Sequence, residues 1–368
     1  TAVDADLQQT PLQAEHEALG AKMGEFAGWS MPIEYAGVLT EHRAVREAAG
    51  MFDLTHLGKI EVAGPAALDR LQRVVTGDLA VLPVGGAQYG MVLTEDGGIV
   101  DDLITYRVAQ DRFLVVPNAA NTESVLAILS EEVSARAAVD HRPDLVTIAV
   151  QGPRSLDLVT PMFPEVEGLT YMTCVDSSFR DVVVLLARTG YTGERGVELF
   201  VPDAVARALW RDLLKRGGPV GLEPAGLGAR DTLRLEMGYA LHGNDISPDR
   251  TPLEAGLSWA VAFDKGDFRG REALLRRKEE GVQARLRALR MSGRLIPRAH
   301  YPVFDERGDP IGETTSGTFS PTLREGIALA YLFPPDRHAP GATVEVDVRG
   351  RRGPAEVIKP PFVERSPR

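Results

Sequence analysis

Four polar residues stand where strands and helices would favour apolar ones. Asp102 lies within Ile99-Val100…Leu103-Ile104, Asn118 follows Val115-Val116, Glu198 sits between Val197 and Leu199, and Arg230 falls in the Leu-rich stretch from Gly226 to Gly238. A carboxylate flanked by β-formers is costly to bury unless something hydrogen-bonds to it. Tyr89, Tyr191 and Trp259 accompany the set. Carboxylates and amides read a flat heterocycle by pairing with its donor edge, while aromatic rings cover its faces; a pterin offers both. A purely structural reading fits the same residues, with Glu198 and Arg230 as an ion pair at a domain junction.

The elements that must position these groups follow from periodicity. Two apolar runs joined by Ala109-Gln110-Asp111-Arg112 predict an antiparallel hairpin that carries Asp102 and Asn118. Val182 to Ala187 reads as a core strand entering the turn Gly190-Tyr191-Thr192-Gly193-Glu194-Arg195-Gly196, from which Val197 to Val201 pairs back. Arg230 and Arg234 are four apart, which puts both guanidinium groups on one helix face. Further helices are predicted over Val38 to Ala49, capped by Thr40 and stopped by Gly50, over Asn121 to Ala135, and over Ala204 to Lys215. From Leu286 to about Val363, short strands, turns and prolines suggest a separate small all-β domain. The texture before it is mixed α and antiparallel β, without the strand–helix alternation of a nucleotide-binding sheet.

With 368 residues, the chain exceeds one usual domain, and two or three cores are expected. A net charge of −11 argues against broad nucleic-acid binding. One local exception is the segment 269–298, with ten Arg or Lys against three Glu. It reads either as a solvated face or as a surface for an anionic partner or ligand tail. No apolar run approaches the roughly 18 residues of a membrane helix, and the acidic start from Thr1 to Asp6 is unlike a signal peptide, so a soluble interior compartment is expected. The single Cys174 excludes an intrachain disulfide framework and a cysteine zinc cluster. His56, His242 and His300 have no neighbouring ligand residues, so no metal is expected. The Gly190 loop lacks the Lys-Ser/Thr ending of a phosphate loop and joins two strands.

The order of these elements resembles the aminomethyltransferases, the T protein of the glycine cleavage system, over nearly the whole chain. The resemblance rests on Gly28-Trp29-Ser30-Met31-Pro32, Phe52-Asp53-Leu54-Thr55-His56, Gly97-Gly98-Ile99-Val100-Asp101-Asp102, Gly190-Tyr191-Thr192-Gly193-Glu194 and the Ala229-Arg230-Asp231…Leu233-Arg234-Leu235-Glu236 core. Gly243-Asn244-Asp245-Ile246, Arg298-Ala299-His300 and Thr315-Ser316-Gly317 complete it. It implies an α+β fold of three closely packed domains around a central folate cavity: residues 1–54 with 140–250, residues 55–139 with 251–284, and residues 285–368 as a small all-β barrel or jelly-roll. The catalytic aspartate falls on Asp102 rather than Asp101. The folate pocket falls on Leu57, Tyr89, Asp102, Val116, Asn118, Tyr191, Glu198, Arg230, Trp259 and Arg287, the last placed to meet the folate's glutamate tail.

The reaction so implied passes an aminomethyl group from the lipoylated H protein to tetrahydrofolate, without metal or flavin, nucleic acid or membrane. The location implied is the cytoplasm for a bacterial chain and the mitochondrial matrix for a eukaryotic one. Two departures from the family pattern stand out: Leu57 replaces the usual Met, with similar apolar volume, and Arg195 replaces an acidic residue. Two alternatives share the scaffold, a folate-dependent demethylase and a folate-binding accessory protein of iron-sulfur assembly. The latter carries Lys-Gly-Cys where this chain has Thr189-Gly190-Tyr191.

Overall fold

The run Leu145–Gln151 is apolar on both faces and lies at the centre of a six-stranded sheet. The order is Cys174–Phe179, Val182–Ala187, Gly196–Pro202, Leu145–Gln151, Ala49–Asp53 and Leu222–Pro224. Only the last pairing is parallel. The helix Asp203–Gly217 places Ala206, Leu209, Trp210 and Leu213 at helical spacing and buries all four against this sheet. Each large apolar side chain so buried contributes about 1.5–3 kcal/mol before entropic costs. The computed structural model describes residues 7–131 and 136–368, so Thr1 to Asp6 and the end of the helix expected over Asn121 to Ala135 lie outside the described residues.

A second sheet, wholly antiparallel, runs Ala87–Leu93, Ile99–Ala109, Arg112–Val116, Ile60–Ala63 and Ala138–His141. Helices Ala67–Val74 and Thr122–Glu131 cover one face through Leu71, Val74, Val125 and Leu129. The other face turns Tyr106 and Leu114 toward Leu185 and Phe200 of the first sheet. The expected Asp102 hairpin is the central pair of this second sheet.

Strands Arg285–Met291, Pro302–Phe304, Pro310–Ser320, Glu325–Leu332, Thr343–Val348 and Arg351–Ile358 form a closed barrel. After Glu325, the strand from Gly326 to Leu332 is an unbroken run without charge because it is buried on both faces. Ala328, Ala330 and Leu332 fill the barrel, while Ile327 and Leu329 meet Leu235 and Phe362 outside it. The α+β architecture with an all-β C-terminal barrel is therefore as expected.

Two buried ionic clusters bolt the barrel to the helix Leu227–Glu236. Arg234 donates to Asp245 at 2.8 Å and to Ser316 at 2.9 Å. Glu236 accepts from Arg46 at 2.8 and 3.0 Å, from Ser320 at 2.6 Å and from Thr322 at 2.9 Å. Burial alone would raise the Glu236 carboxyl, but the hydrogen bond and charge of His42, followed by Arg46, hold it at about 2.

One helix differs from expectation at both ends. It spans Val38–Glu47, so Gly50 belongs to the following strand, and its cap is Gly37 at φ 101° rather than Thr40. Glu41, in the first turn, supplies the missing acceptor by taking the N–H groups of Gly37 at 3.1 Å and Gly226 at 2.8 Å.

Candidate active site

Asp101 and Asp102 are consecutive on the Ile99–Ala109 strand, beside a register shift between Val92 and Leu93 of its neighbour. Strict alternation would send the two carboxylates to opposite faces. They do face apart, Asp102 lining the cavity and Asp101 not, yet Asn118, just beyond the Arg112–Val116 strand, reaches both, donating from Nδ2 to Asp101 Oδ1 at 2.8 Å and to Asp102 Oδ1 at 2.9 Å. Asp101 is fully buried and also accepts from the Asn118 backbone at 2.9 Å and from Asn121 at 2.7 Å. Asp102 is half-buried on the wall of the cavity and accepts from the Tyr89 hydroxyl at 3.0 Å. Burial pushes both carboxyls above the usual range, and the two charges repel, so the pair titrates as a unit.

Asn121 spends its second amide hydrogen on His242 Nδ1 at 3.0 Å, while His242 Nε2 donates to the Ile99 carbonyl at 3.0 Å. Neither Asn121 nor His242 is among the sequence-predicted site residues. Asn121 has a signal, since it lies three residues after Asn118 at the start of a helix; His242 has none.

Across the cavity, Glu198 accepts from Thr189 at 2.5 Å and from Tyr106 at 3.2 Å. Among the described residues, Glu198 and Arg230 do not form an ion pair, so the structural alternative for these two residues is not what holds them. The Arg230 guanidinium instead lies 4.7 Å over the Tyr191 ring, and desolvation lowers its pKa. Tyr191 is fixed by stacking on Tyr239 at 5.6 Å and by a hydrogen bond to the Ala240 carbonyl.

All ten residues named from sequence, Leu57, Val116 and Arg287 included, line one cavity of about 1630 Å³ where the two sheets and the barrel meet. Their placement in it is uneven. Trp259 is 71% exposed and stands at the rim, stacked on Tyr89 at 5.4 Å. Arg287 donates to the Pro335 carbonyl at 2.9 Å, and its Nε is buried without a partner. Cys174 is buried, which pushes its thiol up to about 12 and removes it as a nucleophile.

Residues 12–265 match the GCVT N-terminal domain, and residues 285–364 match the glycine cleavage T-protein C-terminal barrel domain. These matches place the chain among transferases built from that body and that barrel. It is 49% identical to the aminomethyltransferase of Frankia alni over 99% of this chain and 100% of the relative, and 44% identical to that of Halothermothrix orenii over 97% and 100%. The crystal structure of the glycine cleavage system aminomethyltransferase T from Bartonella henselae superposes with a TM-score of 0.92 at 38% identity, covering 98% of this chain and 99% of that one. The chain belongs to the glycine cleavage T-protein family, the aminomethyltransferases of that system.

Proposed function

We propose that this chain converts aminomethyl-dihydrolipoyl H protein and tetrahydrofolate to 5,10-methylenetetrahydrofolate, ammonia and dihydrolipoyl H protein. The observation that carries the reading is the Asp102 carboxylate, held by Tyr89 and Asn118 on the wall of a cavity that also presents Glu198 and Arg230. A volume of about 1630 Å³ exceeds the roughly 300–1,000 Å³ of a single small-molecule site, which leaves room for a folate and a carrier arm together.

In this mechanism the folate N5 attacks the aminomethyl carbon as the C–S bond breaks and the lipoyl sulfur takes a proton; positive charge develops on nitrogen, and N10 then closes on the same carbon as ammonia leaves. Asp102 stabilises that charge and assists proton movement at the folate nitrogens. Glu198 pairs with the donor edge of the pterin, Arg230 and Tyr191 hold the ring, and Leu57 and Val116 pack its apolar part. Trp259 borders the entrance, and Arg287 meets the glutamate tail. Neither a metal nor a flavin has a part in these steps.

This placement keeps the three-domain division expected from the sequence, 1–54 with 140–250, 55–139 with 251–284 and 285–368, although the strand Ala138–His141 crosses the boundary at 139 and pairs within the second sheet. The proposed location is the cytoplasm, in keeping with bacterial relatives and with no helix among the described residues long and apolar enough to cross a membrane. The test is tetrahydrofolate-dependent ammonia release from aminomethylated H protein. Silence from a folded enzyme would overturn the assignment, and turnover of methyl-sulfonium donors in its place would make the chain a demethylase.

A further inference from the structure

His56 is 3% exposed and lies in the connection between strands Ala49–Asp53 and Ile60–Ala63, with its ring in the wall of the same cavity. Phe26 meets it edge to face at 5.4 Å and 86°, which fixes the plane of the imidazole. Neither ring nitrogen has a hydrogen-bond partner among the described residues, and Nδ1 is a fully buried orphan. Nδ1 is sealed from the cavity, so Nε2 is the nitrogen a ligand can reach, and an imidazole kept where an apolar ring would avoid the cost of Nδ1 points to a partner for Nε2. Burial, and after it the charge of Arg230, push the imidazole down to about 3, so at neutral pH it offers one N–H and one lone pair.

The sequence of groups along the wall says which of the two is used. Glu198 is an acceptor and Arg230 a donor, and His56 lines the same cavity as both, within reach of the Arg230 charge. A pterin carries two donors, the 2-amino group and N3–H, directly beside one acceptor, the C4 carbonyl oxygen. A carboxylate on the donors turns that oxygen toward Arg230 and His56, where only a donor is useful.

We propose that His56 donates a hydrogen bond from its cavity-facing nitrogen to the C4 carbonyl oxygen of the bound pterin, alongside Arg230, and so selects 4-oxo over 4-amino pterins. This inference rests on the folate reading above. A site built to hydrogen-bond an oxygen rejects the analogue that presents a donor there.

The experiment compares binding of tetrahydrofolate and of its 4-amino analogue to the wild type, His56→Phe and His56→Gln, with thermal melts to verify folding. The wild type is expected to prefer the 4-oxo ligand. His56→Phe should weaken that ligand about 10-fold, leave the 4-amino analogue nearly unchanged and raise KM more than it lowers kcat. His56→Gln, which restores an N–H donor at similar reach, should recover most of the loss. Equal weakening of both ligands, or none, in folded His56→Phe overturns the role of His56 while leaving the folate reading intact. A wild type that binds neither ligand overturns both.

Discussion

Glu236 and the Asp101–Asp102 pair are carboxylates withdrawn from water by the same fold, and they have opposite electrostatics. Glu236 is saturated, with Arg46, Ser320, Thr322 and His42 surrounding it, and its carboxyl stays at about 2. The aspartates are held by amides and a phenol, none of them charged, and burial pushes their carboxyls up. A carboxylate matched by cations has all its favourable interactions before any ligand appears. One supported only by neutral donors keeps electrostatic demand in reserve, and a substrate that develops positive charge can meet it.

That contrast fails if the two sites respond alike to mutation. Glu236→Ala takes from buried Arg46 one of its two carboxylate partners, leaving Glu194, and removes the acceptor of Ser320 and Thr322, and a stability loss of about 3 kcal/mol is expected from the denaturation midpoint. Asp102→Asn should fold and bind folate like the wild type yet transfer about 10²-fold more slowly or worse. A melting temperature lowered as far as that of Glu236→Ala would erase the distinction.

Acid titration sharpens it further. The depressed carboxyl of Glu236 stabilises the fold above its ordinary value of 4.5, and that contribution is lost as the pH falls toward about 2. The raised pair behaves in the opposite sense: its contribution to stability is greatest below the ordinary carboxyl value of 3.8 and declines as the pH rises through the folded-state range. Transfer should therefore speed up with rising pH as the pair loses its proton. In Asp101→Asn, without the neighbouring charge, that rise should move to lower pH; a pH–rate profile unchanged from the wild type would show that the two carboxyls do not interact.

The smallest effect is expected on the surface. Arg276 is exposed and, among the described residues, paired only with Glu272 at 3.1 Å, a contact worth little to stability. Reversing Arg276 and Arg277 to Glu should leave the melting temperature unchanged and weaken the carrier titration a few-fold at low salt. No change at either low or moderate salt would restore the reading of a solvated face.

The hairpin was legible because Asp102 and Asn118 interrupt runs of β-formers, and the barrel because its strands are short and bounded by turns. Glu198 was visible for the same reason, yet its holders Thr189 and Tyr106 were not, since a threonine beside a glycine turn and a tyrosine in a strand are ordinary there. Asp101 was set aside in favour of Asp102 by the resemblance, and no sequence pattern displays its bonds to Asn118 and Asn121, which come from beyond the end of the neighbouring strand. The Thr40 cap failed because an acceptor one residue later, Glu41, satisfies the helix start from inside its first turn. His56 looked like an isolated histidine; only coordinates reveal that its nitrogens lack partners.

Of the chain's three tryptophans, Trp210 is sealed in the first core, whereas Trp259 faces water at the rim on top of Tyr89. The molecule thus has an optical reporter at its entrance and a constant reference in its interior. Occupancy of the cavity should change the emission of Trp259 without labels or coupled assays.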